Sequence, residues 1–182
     1  MIDKAEKVYA DAFFTLCLEE TPDTLKNTLG ELSALDGIFR EQPDFVKLLG
    51  TPTVTMDEKL GMIKDIIADG ISEYTGNLLC VLTERGRMGC FSGIVKNFRA
   101  LYNEHFRIAE ITVTASAPLS ESVREKIAAK MSEVTGKTVS IKEKVDPSII
   151  GGVVIDYGST RYDGSVRTRL NELKKELGGV IA

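Results

Sequence analysis

The sequence predicts a mainly α protein with a small α/β second domain: an N-terminal six-helix bundle over residues 1–107, then a β-α-β-β-β-α domain over 108–182. Three observations carry this. Apolar residues recur at helical spacing throughout the first half, as in Ala5, Val8, Tyr9, Ala12, Phe13 and Leu16, the i, i+3, i+4, i+7 pattern of an amphipathic helix. At residue 108 the period changes to two, with Ile111, Val113, Ala115 and Ala117 alternating with Glu110, Thr112, Thr114 and Ser116, the mark of a half-buried strand. The charge changes there as well: residues 1–107 hold 12 basic and 17 acidic side chains, and 108–182 hold 11 and 10.

Taken in order, a first helix runs from about Asp3 to Glu20 and ends at Thr21-Pro22-Asp23. Leu25, Leu29, Leu32, Leu35 and Phe39 mark a second, which stops before Pro43 because a residue preceding proline is biased away from helix. A short third helix, Phe45 to Leu49, is broken by Gly50-Thr51-Pro52. Leu60, Ile63, Ile66 and Ile67 mark a fourth, with Thr55 or Asp57 as candidate cap and Gly70 as its stop. Ile71, Tyr74, Thr75, Leu78, Leu79 and Leu82 make a fifth, and Phe91, Ile94, Val95, Phe98 and Tyr102 a sixth. Short connections between six short helices predict a compact bundle.

In the second half, Pro118 stops the first strand and Ser120 caps a helix with Val123, Ile127, Met131 and Val134 on one face, ending near Gly136. Val139, Ile141, Glu143 and Val145 form a second strand. The segment Gly151–Tyr157 is apolar on both faces, as an interior strand is, and Arg161-Tyr162-Asp163 is its short antiparallel partner after a turn at Gly158-Ser159-Thr160. Two glycines entering that strand indicate a bulge or a close backbone approach. Gly164-Ser165 launches a last helix with Val166, Leu170, Leu173 and Leu177 on one stripe, and Gly178-Gly179 begins a frayed tail.

Several function classes lack their usual residues. Net charge is −4 with a pI near 5.2, so there is no global basic field for nucleic acid or anionic lipid. The cluster Arg167, Arg169, Lys174 and Lys175 is a local bias without interleaved aromatics for base stacking. Apolar runs such as Val153-Val154-Ile155 fall far short of the roughly 20 residues that span a bilayer. Acidic residues among the first seven argue against a signal or transit peptide, so the mature chain is expected to begin there and stay in the cytoplasm. Cys17, Cys80 and Cys90, 63 and 10 residues apart, predict three buried, reduced thiols. His105 is the only histidine, which excludes a multi-histidine metal site. Neither glycine pair extends to a nucleotide-binding loop, and Ser159, Ser165 and Cys90 have no GxSxG elbow or neighbouring base. No catalytic, cofactor-binding or metal-binding residues are assigned.

One feature exceeds what a plain bundle needs. At about 100° per residue with Ala5 at zero, the main stripe of the first helix covers about 300° to 80°, yet Phe14 falls near 180° and Leu18 near 220°. In the fifth helix, with Ile71 at zero, Cys80 falls near 180° and Val81 near 280°. Helices apolar on more than one side are either central in the bundle or line a groove for a partner helix.

The segment Asp146-Pro147-Ser148-Ile149-Ile150-Gly151-Gly152-Val153-Val154-Ile155-Asp156-Tyr157-Gly158, followed by Tyr162-Asp163-Gly164-Ser165-Val166-Arg167, resembles the C-terminal signature of the ATP synthase delta subunit family, whose mitochondrial members are the oligomycin-sensitivity-conferring proteins. Tyr9-Ala10-Asp11-Ala12-Phe13-Phe14 is similar to the family's opening YAxALF-like helix, and Leu82-Thr83-Glu84-Arg85-Gly86-Arg87 to its L-x-E-x-G-R element. Asp156-Tyr157 stands where basic or apolar residues are common in the family. The resemblance implies a non-catalytic stator subunit without cofactors, at the cytoplasmic face of a bacterial cell membrane. It would link the alpha/beta head of the rotary ATP synthase to the b-subunit stalk, so that ion flow is coupled to ATP synthesis. It implies that the first and fifth helices form a groove for an N-terminal helix of an alpha subunit, and that the C-terminal domain meets the C-terminal region of the b subunits. Partner-binding residues are then expected at Tyr9, Phe13, Phe14, Leu18, Leu78, Cys80 and Val81. A small RNA-binding or enzyme domain is the alternative.

Overall fold

The computed structural model describes residues 2–20, 22–51, 54–68 and 70–180; side chains are described for these except at 2, 3, 22, 64–68 and 177–180. The chain divides into two compact units, Met1–Tyr102 and Asn103–Ala182, each considered by itself.

The first unit is helical: α1 (Ile2–Leu18), α2 (Pro22–Glu41), α3 (Pro43–Gly50), α4 (Met56–Ala68), α5 (Glu73–Glu84) and α6 (Phe91–His105), with a 3-10 turn at Met88–Cys90. Local chemistry sets the boundaries. Pro43 occupies the first turn of α3, where a missing N–H costs nothing, so α3 begins two residues before the expected Phe45. Of the two candidate caps for α4, Thr55 is the one used. Its hydroxyl accepts from the Glu58 N–H at 3.4 Å, and the Glu58 carboxylate accepts from the Thr55 N–H at 3.0 Å, a reciprocal capping box. The Thr55 hydroxyl, which also donates to the Glu58 carboxylate at 2.9 Å, and then the Thr55 N–H hold that carboxyl below its usual range. Ile66 and Ile67 lie outside the described side chains. Helix α5 starts at Glu73 rather than Ile71 because the Ser72 hydroxyl caps it, accepting from the Thr75 N–H. Glu31 of α2 ties this cap down, accepting from the Ser72 and Thr75 hydroxyls at 2.6 Å each.

The core of this unit contains Leu25, Leu32, Leu35 and Phe39 of α2, Leu79 and Leu82 of α5, and Phe91, Ile94 and Phe98 of α6. Phe98 meets Phe13 and Phe14 of α1 at ring-centroid distances of 5.6 and 5.5 Å, within the range of favourable aromatic pairs. Only Cys17 of the three cysteines is buried; burial raises its thiol pKa. Cys80 and Cys90 are half-buried, contrary to expectation. Cys80 lies at the border of the buried face of α5, next to Gly76 and Thr83, and Cys90 ends the 3-10 turn.

The second unit contains β1 (Ile108–Ala115), α7 (Glu121–Thr135), β2 (Thr138–Val145), β3 (Val153–Tyr157), β4 (Thr160–Asp163) and α8 (Val166–Val180). Its sheet has the order β2-β1-β3-β4. β1 pairs parallel with β2 across the α7 crossover and antiparallel with β3, which pairs antiparallel with β4. Ile111 and Val113 of β1 pack with Met131 and Ile127 of α7, Ile141 of β2 and Ile155 of β3. β1 ends two residues before Ala117, because the Asp146 N–H bonds to Ala115 and closes the ladder there. The units divide at Tyr102/Asn103, inside α6, whereas the change of period falls at 107/108. The last turn of α6 reaches β1 through the Asn103 amide, 3.4 Å from Glu110, and the Arg107 carbonyl just before β1 accepts from the Thr138 N–H at 2.9 Å. Helix α8 continues through Gly178-Gly179 to Val180, where a frayed tail was expected.

Where β4 hands over to α8, the Asp163 carboxylate accepts from the Ser165 N–H at 2.9 Å and the Thr168 hydroxyl at 3.0 Å. These bonds, the Ser165 N–H first, lower the Asp163 pKa. A carboxylate depressed in the folded state stabilises fully above its unfolded pKa of about 3.9 and loses that contribution as pH falls through the lower folded value. We therefore expect Asp163→Asn to flatten the acid limb of the Tm-versus-pH curve below about pH 4. A limb of unchanged steepness would mean the junction does not feel this charge.

Candidate functional site

Along α1 the buried side chains are Ala10, Phe13, Phe14 and Cys17, an arc from about 80° to 180° when Ala5 is set at zero. The main stripe is split: Phe13 at its edge goes to the core, while Val8 and Leu16 are 60% and 46% exposed. The inward face is thus rotated from the centre of the stripe toward Phe14. Phe14, expected in a groove, is a core residue set edge-on against Phe98.

The outward stripe of α1 lies beside α5, and an open apolar groove of about 420 Å³ runs between them. Tyr9, Ala12, Phe13 and Leu16 line it from α1, and Tyr74, Asn77, Leu78 and Val81 from α5. Both sets have the spacing i, i+3, i+4, i+7, so each helix presents one continuous ridge. Phe13 and Leu78 are buried and form the floor, while Leu16 and Val81 stand exposed at the rims. Of the residues expected to bind a partner, Tyr9, Phe13, Leu78 and Val81 come together in this groove. Phe14, Leu18 and Cys80 do not line it; Leu18 is 45% exposed on another side of α1. Ala12, Leu16, Tyr74 and Asn77 were missed, although three of them lie on stripes visible in the sequence. Their spacing was the available signal, and assigning those stripes to the core concealed it.

The ends of the groove are polar. The Arg87 guanidinium donates to the Tyr9 hydroxyl at 3.2 Å and lies 5.6 Å from its ring centroid, within cation–π reach. At the other end the Tyr74 hydroxyl donates to the Glu20 carboxylate at 2.8 Å, a bond that raises the phenol pKa and keeps the proton on Tyr74. A second apolar recess, about 510 Å³, is lined by Leu35, Ile38 and Phe39 of α2, Phe45 of α3, and Gly70 and Ile71.

In the second unit, Leu170 and Leu173 of the α8 stripe are 51% and 53% exposed; Leu177 lies outside the described side chains. The exposed Arg167, Arg169, Lys174 and Lys175 share the helix with Glu172 and Glu176. The possible nucleophile Ser165 is buried and engaged as a helix cap, accepting from the Thr168 N–H at 3.2 Å. His105 ends α6 with its ring edge-on to Phe106 at 4.9 Å. Among the described residues no group of three or more His, Cys, Asp or Glu could hold a metal ion, and no helix is long and apolar enough to cross a membrane.

Comparison with known proteins matches residues 5–177 to the family model described as ATP synthase delta (OSCP) subunit. The chloroplastic ATP synthase subunit delta of Emiliania huxleyi is 33% identical over 181 residues, 99% of each chain. The ATP synthase subunit delta of Anaeromyxobacter sp. (strain Fw109-5) is 34% identical over 170 residues, 93% of this chain and 94% of the relative. The mitochondrial ATP synthase subunit O of Ipomoea batatas is 32% identical over 172 residues, 93% of this chain and 70% of the relative. The fold is similar to a chain in the cryo-EM structure of the Toxoplasma gondii mitochondrial ATP synthase hexamer, with a TM-score of 0.70, 22% identity and coverage of 94% of this chain and 96% of that one.

Proposed function

The chain belongs to the ATP synthase delta (OSCP) subunit family, and from that membership as a stator subunit of the rotary ATP synthase we propose how its two units share the task. The first unit holds the catalytic head by taking an amphipathic N-terminal helix of an alpha subunit into the α1–α5 groove. The second carries the attachment to the C-terminal region of the b subunits at the cytoplasmic face of the membrane. The observation supporting the first assignment is the pair of ridges with matched i, i+3, i+4, i+7 spacing, uncovered on both helices. Such a groove suits the apolar face of a single helix. The family's role in the synthase is structural, and a stator needs binding energy and stiffness: it must keep the head from turning with the rotor while ion flow drives that rotor.

For the second attachment the exposed Leu170 and Leu173 supply an apolar stripe of the kind that helical partners cover. We expect Leu170→Asp combined with Leu173→Asp to leave binding to purified heads unchanged and to weaken binding to a soluble b-subunit fragment at least tenfold, about 1.4 kcal/mol or more. Equal affinity in that assay would move the stalk contact off α8.

The functional test is reconstitution. Heads stripped of this subunit, added to vesicles containing the membrane sector, should regain ATP-driven ion pumping when the chain is supplied. Failure to restore pumping with all other subunits present would refute the stator assignment for this chain.

A further inference from the structure

The strongest feature outside that reading's scope is the charge at the two ends of the groove. Helices α1 and α5 run in opposite senses along it, because Tyr9 meets Arg87, which follows α5, while Tyr74 near the start of α5 meets Glu20, which follows α1. One end is therefore bordered by Arg85 and Arg87 with Glu84, all exposed, and the other by Glu19, Glu20 and Glu73, all exposed. The first end has a net positive charge and the second a threefold negative one. The lining from Tyr9 to Leu16 spans eight residues, about 10 Å at 1.5 Å per step. Both ends thus lie within reach of a single helix of about three turns, and each lies within about one Debye length of that helix's terminal side chains.

The geometry points to a groove that sets the direction of its occupant: an amphipathic helix docks with its acidic end against Arg87 and its basic end against Glu20 and Glu73. This inference rests on the groove assignment above and adds polarity to it. Helices commonly carry acids in the first turn and bases in the last, matching their own dipole. An occupant of that ordinary kind lies parallel to α1 and antiparallel to α5. Arg87 acts twice, steering the acidic end and holding the Tyr9 ring that forms the groove wall. Glu20 does the corresponding work through Tyr74. Exposed pairs of this type contribute modestly to affinity, but opposite signs at opposite ends make one orientation attractive and the other repulsive at both termini.

The experiment uses the full chain and two synthetic 16-residue peptides with the same apolar face and with acetyl and amide ends. One carries Glu in its first turn and Lys in its last; the other has them exchanged. A photo-crosslinker on the first residue reports which end of the groove it occupies. The expected result is that the acid-first peptide crosslinks beside Arg87 and the base-first peptide beside Glu20. Arg87→Glu should weaken the acid-first peptide roughly two- to fivefold at low salt, an effect that fades as salt is raised. The double variant Arg87→Glu, Glu20→Lys should exchange the two crosslinking sites. If both peptides bind, are lost in Leu16→Asp, and crosslink at the same end, charge does not set direction; the polarity inference is overturned and the groove stands. If neither peptide binds at any salt concentration, the groove assignment falls and the inference with it.

Discussion

Leu16→Asp should abolish attachment of the head while leaving the first unit folded. The side chain stands at the groove rim, 46% exposed, so the free protein tolerates a carboxylate there, and its thermal stability should change by no more than about 0.5 kcal/mol. Under the proposed groove assignment the docked helix covers the same position in the complex. Covering the exposed half of this leucine contributes about 1 kcal/mol, which the substitution forfeits, and an unpaired carboxylate in the apolar contact adds a desolvation cost of about 2 kcal/mol or more. An affinity loss of a hundredfold or more follows, at about 1.4 kcal/mol per tenfold. In reconstituted vesicles, ATP hydrolysis by the heads continues while ion-driven synthesis stops for want of a stator. Retention of wild-type affinity for an alpha-subunit N-terminal peptide would remove the groove from the head contact. Phe14→Asp cannot serve the same purpose. It would place a charge in the core against Phe98, so any loss of binding would reflect a collapsed bundle.

The second large effect is expected at Gly152, which joins the 3-10 turn at Pro147–Ile149 to β3. Its φ is +76°, and a Cβ built on it would strike the carbonyl oxygen of Gly164, with the Gly164 carbonyl carbon and Ser165 Cα only 3.2 Å away. Two backbone bonds, Gly164 N–H to Val153 O at 3.0 Å and Val166 N–H to Gly151 O at 2.9 Å, clasp these segments together. No flexible side chain can move aside to make room. Gly152→Val combines a β-branched residue at positive φ with a backbone collision, so we expect about 3 kcal/mol or more of destabilisation in the second unit. For a domain of this size that lowers Tm by more than about 10 °C. Gly158→Asn is the control: φ is +58° and the space is open, and asparagine tolerates the left-handed region. Equal losses in both variants would show that conformation, rather than the close approach to Gly164, sets the cost.

Much of the fold was legible because its signals are local. The shift from a helical period to alternation at Ile108 depends only on which side of each element is wet; Pro43 acts through its own ring, and Thr55 and Gly136 start or end helices through bonds within a few residues. The glycine pair before β3 announced a close approach, though the partner, Gly164, lies twelve residues further on and could not be named from it.

What the sequence determined by itself is that α1 and α5 carry more apolar surface than one face needs, and that its motifs resemble the ATP synthase delta family. Which face turns inward was decided only by tertiary packing. Tyr9, Ala12, Phe13 and Leu16 form the more regular stripe, yet only Phe13 of them is buried, and Ala10, Phe14 and Cys17 join it in the core. The hydrophobic effect is non-directional: it rewards burying either stripe by a similar amount and does not choose between them. The choice comes from shape, since Phe13 and Phe14 both find the ring of Phe98, 85 and 84 residues away in sequence, contacts that no local period encodes. The stripe left over became the groove.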